Sequence, residues 1–154
     1  MEKAEERFTY FLVTTLRMYH QYMSKHLKEL GVSLSDYSAI VFLFHEMNND
    51  NERVVTQALI ADTVSQDRGL MSRTIRRLKN SGIVSVSNSS KNHSHHSIQL
   101  TEKGIEIGKV IHQKTVDWEQ YFYSAIDKSD RALFQSTIAH LVNYLAETQP
   151  EESV

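Results

Sequence analysis

The sequence has no cysteine and only one proline, Pro150. The first absence excludes disulfides, thiol redox sensing and metal sites with cysteine ligands, and the second suits a mostly helical chain. No apolar run approaches the ~20 residues that a membrane-spanning helix requires. The N-terminal sequence MEKAEERF is charged and lacks the apolar segment of a secretory signal, so we expect a cytoplasmic protein. At 154 residues the chain fits one domain.

Common enzyme motifs are also missing. The sequence contains neither the nucleophile motif G-x-S-x-G nor a Walker phosphate-binding loop. The segment HEMNN, from His45 to Asn49, begins like the zinc-protease motif H-E-x-x-H but ends in asparagine. We therefore expect a protein that is not an enzyme and that uses no cofactor.

Acidic residues are absent from one long segment. From Arg68 to Thr101 the chain has six Lys or Arg and no Asp or Glu, a formal charge of +6. The remaining residues include eleven Lys or Arg and nineteen acids, which gives −8 there and −2 in total. A solvated helix face usually mixes both signs, because opposite charges one turn apart stabilise it. A purely cationic segment in a near-neutral protein instead favours contact with nucleic acid.

The sequence DRGLMSRTIRRLKNSG, Asp67 to Gly82, predicts the helix that carries most of this charge. Asp67 suits the N-cap and Gly82 the C-terminal stop. Met71, Thr74, Ile75 and Leu78 recur at helical spacing and define an inner face. The outer face carries Arg68, Ser72, Arg73, Arg76, Arg77 and Lys79.

The surrounding pattern predicts a winged helix-turn-helix. The predicted elements are a helix from Glu2 to Leu30 ended by Gly31, a helix capped by Ser35 and running to about Met47, a short strand Arg53–Val55, a helix capped by Thr56 and running from Gln57 to about Val64, strands at 83–86 and 98–100, a helix capped by Thr101 and running to about residue 125, and a helix capped by Ser129 over Asp130–Glu147. The turn Ser65-Gln66 is short enough for a helix-turn-helix, and the hairpin that follows it is a wing. The expected fold class is mainly α with a small β-hairpin wing. Residues 34–100 would bind DNA, and residues 1–31 and 101–148 would form a helical dimerisation region of the same domain.

These segments resemble the MarR family of winged helix-turn-helix transcriptional regulators over nearly the whole chain. The sharpest similarities are VTQALIADTV (Val55–Val64), DRGLMSRTIRRLKNSGIV (Asp67–Val84) and LTEKG (Leu100–Gly104). The resemblance implies a homodimer that binds double-stranded DNA at a palindromic operator, more as a repressor than as an activator, and often a small-molecule effector. The residues expected to contact DNA are Thr56, Gln57, Arg68, Gly69, Leu70, Ser72, Arg73, Arg76, Arg77, Lys79, Lys91 and His93.

Three positions depart from the family pattern. The turn has Ser65-Gln66 where the family usually has Gly-Leu, and the recognition helix has Gly69-Leu70 where small hydroxyl residues are usual. The wing lacks the usual arginine, for which Lys91 or His93 would have to substitute. An arginine-less wing leaves a second hypothesis open: a protein-interaction module of the same fold that no longer binds operator DNA.

Histidines form two sets. His93, His95 and His96 crowd the wing, where they could touch phosphate, bind metal or give a pH-dependent DNA contact, because an imidazole gains charge near pH ~6.5. The second set is His20, His26, His45, Glu46 and His112. It suggests a zinc-responsive regulator as an alternative, although the histidine pair one turn apart that zinc-sensing relatives would show is missing, because Gly108 precedes His112 by four positions.

A pocket for a small aromatic or anionic effector is the remaining candidate site. Its expected lining residues are Tyr19, His20, Tyr22, Tyr37, His45 and Trp118. Core packing explains the same aromatic side chains equally well.

Overall fold

The computed structural model describes residues 2–49, 54–88 and 96–148, of which residues 2–6 and 88 are described by their backbone only. Its elements are α1 (Glu2–Glu29), α2 (Leu34–Asn48), α3 (Gln57–Thr63), α4 (Arg68–Asn80), β1 (Val84–Asn88), β2 (His96–Leu100), α5 (Glu102–Ser124) and α6 (Arg131–Glu147). The predicted fold class, mainly α with a two-stranded wing, is confirmed. No helix in the described ranges is long and apolar enough to cross a membrane.

The chain divides into two compact units after Thr115, and α5 runs through the boundary. The first unit holds α1 to β2 and most of α5, and its core collects apolar side chains from every one of these helices. The largest fully buried apolar side chains are Met23, Leu27, Ile40, Ile60, Met71, Leu78, Ile98 and Ile111. The second unit contains the end of α5 and all of α6, which buries none of its residues.

The hairpin follows α4 directly and is antiparallel, with Val84 opposite Leu100 and Val86 opposite Ile98. The predicted short strand is not formed at Val54 and Val55, although the Val55 carbonyl accepts a backbone hydrogen bond from the Ile98 N–H at 2.9 Å. Arg53, the start of that predicted strand, lies outside the described residues. The contact ties the segment before α3 to the wing.

Glycine allows the first turn of α5 to pack against the chain that enters the wing. A Cβ on Gly104 would lie 2.1 Å from the Ile83 carbonyl oxygen, so no larger residue fits there without a backbone shift. Thr101, the predicted cap, accepts from the Gly104 N–H at 3.1 Å and donates to the Gly82 carbonyl at 2.7 Å. The wing is therefore fixed at its base by both α4 and α5.

Two predicted helix starts were wrong. The N-cap of α2 is Ser33 rather than Ser35, because Asp36 lies at the third helical position from Ser33 and accepts from its backbone N–H at 2.9 Å. The last helix begins at Arg131 after Asp130 rather than after Ser129, whose hydroxyl donates to the Asp130 carboxylate at 3.1 Å instead of capping the helix.

Candidate nucleic-acid interface

The turn between α3 and α4 has a defined hydrogen-bond pattern. The Gln66 N–H donates to the Ala61 carbonyl at 2.9 Å and the Ser65 N–H to the Asp62 carbonyl at 3.4 Å, which together form a Schellman motif. Its left-handed residue is Ser65, with φ of +51°. The turn therefore keeps the left-handed conformation that glycine would favour, although serine occupies the position.

Helix α4 begins and ends where its sequence predicts. The Asp67 carboxylate accepts from the Leu70 N–H at 2.8 Å, which is an N-cap hydrogen bond. At the other end Gly82 has φ of +70°, and the Ile83 N–H donates to the Leu78 carbonyl at 2.9 Å, which completes a second Schellman motif. The inner face predicted from spacing is buried, and consists of Met71, Thr74, Ile75 and Leu78.

The outer face of α4 presents five cations, and the structure divides them into two groups. Arg68 and Arg77 are paired within the chain, with Asp62 and Asp36 respectively. Arg73, Arg76 and Lys79 are exposed and have no ion pair or hydrogen bond to other described residues. They are spaced by three along the helix, so they form a cationic stripe that drifts slowly around its surface.

The two paired arginines differ in kind. Arg68 and Asp62 are both largely exposed and 3.3 Å apart, so the pair contributes little stability and can exchange for another anion. Arg77 instead reaches Asp36, which is 3% exposed, through both its Nε and its Nη2. Its Nη2 also donates to the Ser35 hydroxyl at 3.0 Å. The arrangement makes Arg77 a structural link between α4 and α2.

The other predicted DNA-contacting residues of this region lie around the start of α4 and α3. Thr56 is half-buried and its hydroxyl accepts from the Leu59 N–H at 3.2 Å, so this side chain caps α3. Gln57, Leu70 and Ser72 are half-buried, and Gly69 is exposed. Lys91 and His93 lie outside the described residues, as does His95. His96 is exposed at the start of β2.

The predicted effector residues do not all come together. Tyr19 and Tyr37 do, with hydroxyl oxygens 2.6 Å apart, and Tyr19 also lies 3.4 Å from the Thr115 hydroxyl. Burial of Tyr37, strengthened by its hydrogen bond with Tyr19, raises the pKa of the Tyr37 phenol well above its usual value. Trp118 belongs to the second unit, where its ring lies near that of Tyr121.

The remaining effector candidates are spread over α1 and α2. Tyr22 packs edge-on against His26, with ring centroids 4.8 Å apart. His20 lines an open groove of about 520 Å³ on α1. His45 is exposed, with its ring centroid 6.5 Å from that of His112.

The residues of the zinc alternative are also dispersed. Over the described ranges, no three His, Asp or Glu side chains lie close enough to hold a metal ion together. His45 and His112 are neighbours, whereas His26 lies 3.9 Å from Glu29 on α1. The described residues therefore do not support the zinc-responsive hypothesis.

One residue that contacts the outer face of α4 was missed by reasoning from the sequence. Asp36 interrupts the apolar pattern of α2 and lies three positions after Ser33, the spacing of a capping box. That pattern could have identified it as an N-terminal signal. It carries no indication that Arg77, 41 residues away, is its partner.

Solved structures with the same architecture are transcriptional regulators. The chain superposes on the crystal structure of MarR with a TM-score of 0.76 at 21% identity, covering 93% of each chain. The transcriptional regulator SlyA gives 0.76 at 18% identity, covering 91% of this chain and 94% of that one. A complex of MepR from S. aureus with DNA gives 0.74 at 14% identity, covering 90% and 97%. No family model and no curated protein matches the sequence.

These similarities establish the fold. The chain has the winged helix-turn-helix architecture of the MarR structure over nearly its full length, as the resemblance of its motifs predicts.

Proposed function

We propose that the chain is a DNA-binding transcriptional regulator of the MarR family that reads its operator with α4. The observation that carries this proposal is the cationic stripe of Arg73, Arg76 and Lys79 on the second helix of a helix-turn-helix. In this motif the second helix enters the major groove, where arginine can bond two acceptors on guanine. Exposed cations that have no partner among the residues described are suited to base edges and phosphates.

Arg73 is the base-reading candidate, with Ser72 and Gly69 beside it. Arg76 and Lys79 lie further along the helix and suit phosphate contacts, which position the protein without reading sequence. Arg68 can exchange its exposed partner for phosphate. Arg77 is excluded from this group because its guanidinium is engaged by a buried carboxylate.

We further propose that the protein acts as a homodimer and a repressor, with α1, α5 and α6 forming the interface. On α1, seven large apolar side chains between Phe8 and Met18 are each between 50% and 64% exposed. In the second unit Leu133, Val142, Tyr144 and Leu145 are between 56% and 71% exposed. Such apolar surface is typical of an interface, and a two-fold dimer would place two copies of α4 on a palindromic operator.

The proposal also includes a small-molecule effector that releases the DNA. Its support is the hydroxyl pair of Tyr19 and Tyr37, which links α1 and α2 inside the first unit. A ligand that inserted between these hydroxyls would separate the two helices.

The test is selection of bound duplexes from a random DNA pool, followed by measurement of affinity at several salt concentrations. We expect enrichment of a palindromic sequence and an affinity that falls steeply as salt rises. Absence of any enriched sequence, together with weak binding at low salt, would favour the protein-interaction module instead. Sedimentation of a monomer at micromolar concentration would remove the dimer from the proposal.

A further inference from the structure

Asp36 is an acidic residue buried beside the proposed DNA-reading helix. It is 3% exposed and accepts hydrogen bonds from two sources at once. At the N-terminus of α2, the backbone N–H and the hydroxyl of the N-cap Ser33 donate to its Oδ2 at 2.9 Å and 2.6 Å. From α4, Arg77 donates its Nε at 3.0 Å to Oδ1 and 3.3 Å to Oδ2, and its Nη2 also bonds Oδ1. The carboxylate therefore joins the first turn of α2 to the third turn of α4.

The position of Arg77 on α4 determines what this junction can do. Arg77 follows Arg73 by four residues, so both project from nearly the same side of the helix, one turn apart. The guanidinium of Arg77 is turned onto α2, whereas Arg73 is exposed and unpaired among the described residues. A rotation of α4 that lengthens the bonds to Asp36 therefore also displaces Arg73.

The rest of the buried face of α4 is apolar apart from Thr74, whose buried hydroxyl makes no hydrogen bond to the described residues, and this face does not fix the rotation equally well. Burial of Met71, Ile75 and Leu78 is non-directional, so a small rotation changes it little. A forked arginine–carboxylate pair has defined directions and is stronger than a neutral hydrogen bond. With side chains ~5–6 Å from the helix axis, a rotation of ~10° moves their atoms by about 1 Å. A base-reading site tolerates only ~0.5 Å.

We infer that Asp36 is a positioning residue for DNA recognition: it acts through Arg77 to set the rotation of α4 and thereby aims Arg73, without touching DNA itself. The inference rests on the proposed function. Under this inference the cations of α4 have different roles: Arg77 orients the helix, whereas Arg73 contacts the bases.

The chain offers a matched control for testing this role. Asp36→Asn and Asp62→Asn each remove one carboxylate that pairs with an arginine of α4. Each therefore adds the same charge beside the proposed interface. Only the first carboxylate is buried and joined to α2, because Asp62 and Arg68 form an exposed pair next to the turn. Electrostatics alone predicts that each variant binds any duplex more tightly, without a change in its preference between sequences.

The experiment compares the affinity of the full chain for two probes: the duplex selected by the wild type and a scrambled duplex of the same composition, at one salt concentration. For Asp62→Asn we expect both affinities to rise together, so that their ratio stays constant. For Asp36→Asn we expect the scrambled duplex to bind at least as well as to the wild type. The ratio of the affinity for the selected duplex to that for the scrambled duplex should nevertheless fall about tenfold, which is the loss expected when a bidentate base contact is misplaced.

A merely structural role would lower the melting temperature of Asp36→Asn and leave the ratio unchanged in the folded protein. Circular dichroism, with binding measured well below the melting temperature, separates the two roles, and an unchanged ratio overturns the inference. If Asp36→Asn does not fold, Arg77→Lys replaces it, because lysine keeps the charge but loses the fork; the same fall in ratio is expected, and its absence is equally decisive. A wild type that selects no duplex refutes the proposed function, whereas selection with an unchanged ratio refutes only the role of Asp36.

Discussion

Replacing Ser65 with glycine should stabilise the protein. Ser65 has φ of +51° in the turn between α3 and α4. The left-handed conformation costs an L-residue roughly 1–2 kcal/mol, which glycine avoids. Glycine also loses more conformational entropy on folding, which offsets about 0.5–1 kcal/mol of this stabilisation. The Ser65 side chain is exposed and makes no hydrogen bond to other described residues, so the substitution removes no contact there. The expected net stabilisation is about 0.5–1 kcal/mol.

The reciprocal substitution provides the control. Gly31 ends α1 in the same kind of motif, with φ of +68°, and a Cβ there would meet no atom within 4 Å. Gly31→Ser should therefore destabilise by about the same 0.5–1 kcal/mol through backbone conformation alone.

Urea denaturation at one fixed protein concentration measures both changes. For a chain of this length, 1 kcal/mol corresponds to a shift of about 2–4 °C in melting temperature, so a thermal scan should show opposite shifts for the two variants. A neutral or destabilising Ser65→Gly, beside a destabilising Gly31→Ser, would mean that the serine side chain supports the turn, and the reasoning from conformation would fail.

Three further predictions concern packing, recognition and pH. Gly104→Ala should destabilise by at least ~1–3 kcal/mol, because its Cβ would meet the Ile83 carbonyl oxygen at 2.1 Å; denaturation measures this. Arg73→Ala should weaken binding to the selected duplex by ~1–3 kcal/mol, whereas Lys109→Ala on α5 should leave it unchanged in a titration at equal salt. The raised pKa of Tyr37 means that the folded state favours the neutral phenol. The stability that the buried neutral phenol contributes is therefore complete below about pH 10 and is lost as the pH rises further. Between about pH 9 and pH 11, the free energy of unfolding should fall less for Tyr37→Phe than for the wild type, as measured by denaturation.

The bounds of α4 follow from the sequence because both of its ends are set by local signals. Asp67 caps the first turn and Gly82 takes the left-handed position after the last one, and each effect depends on neighbouring residues only. The predicted start of α2 at Ser35 was wrong, because Ser33 is also a suitable cap and is the one used. Asp36 favours Ser33 because it lies three residues later, at the spacing of a capping box.

The division of the cations on α4 could not be predicted. Arg76 and Arg77 are adjacent and chemically identical, and a helical pattern places both on the outer face. Their roles diverge because only Arg77 lies within reach of Asp36, a residue 41 positions earlier. Sequence spacing reports which side chains share a face of one helix, whereas the charge opposite that face depends on tertiary packing.

This division predicts how DNA binding should depend on salt. If Arg68, Arg73, Arg76 and Lys79 of each protomer in a dimer approach the duplex, about eight counterions are released, and the slope of log affinity against log salt is about −7. If Arg77 also engaged DNA, the slope would be about −9. Measurement over a range of salt concentrations distinguishes the two, because each cation changes the slope by ~0.9. A slope near −9 would show that the duplex displaces Asp36 from Arg77, and the buried pair would then not hold α4 in the bound state. A slope near zero would exclude this helix as a DNA contact.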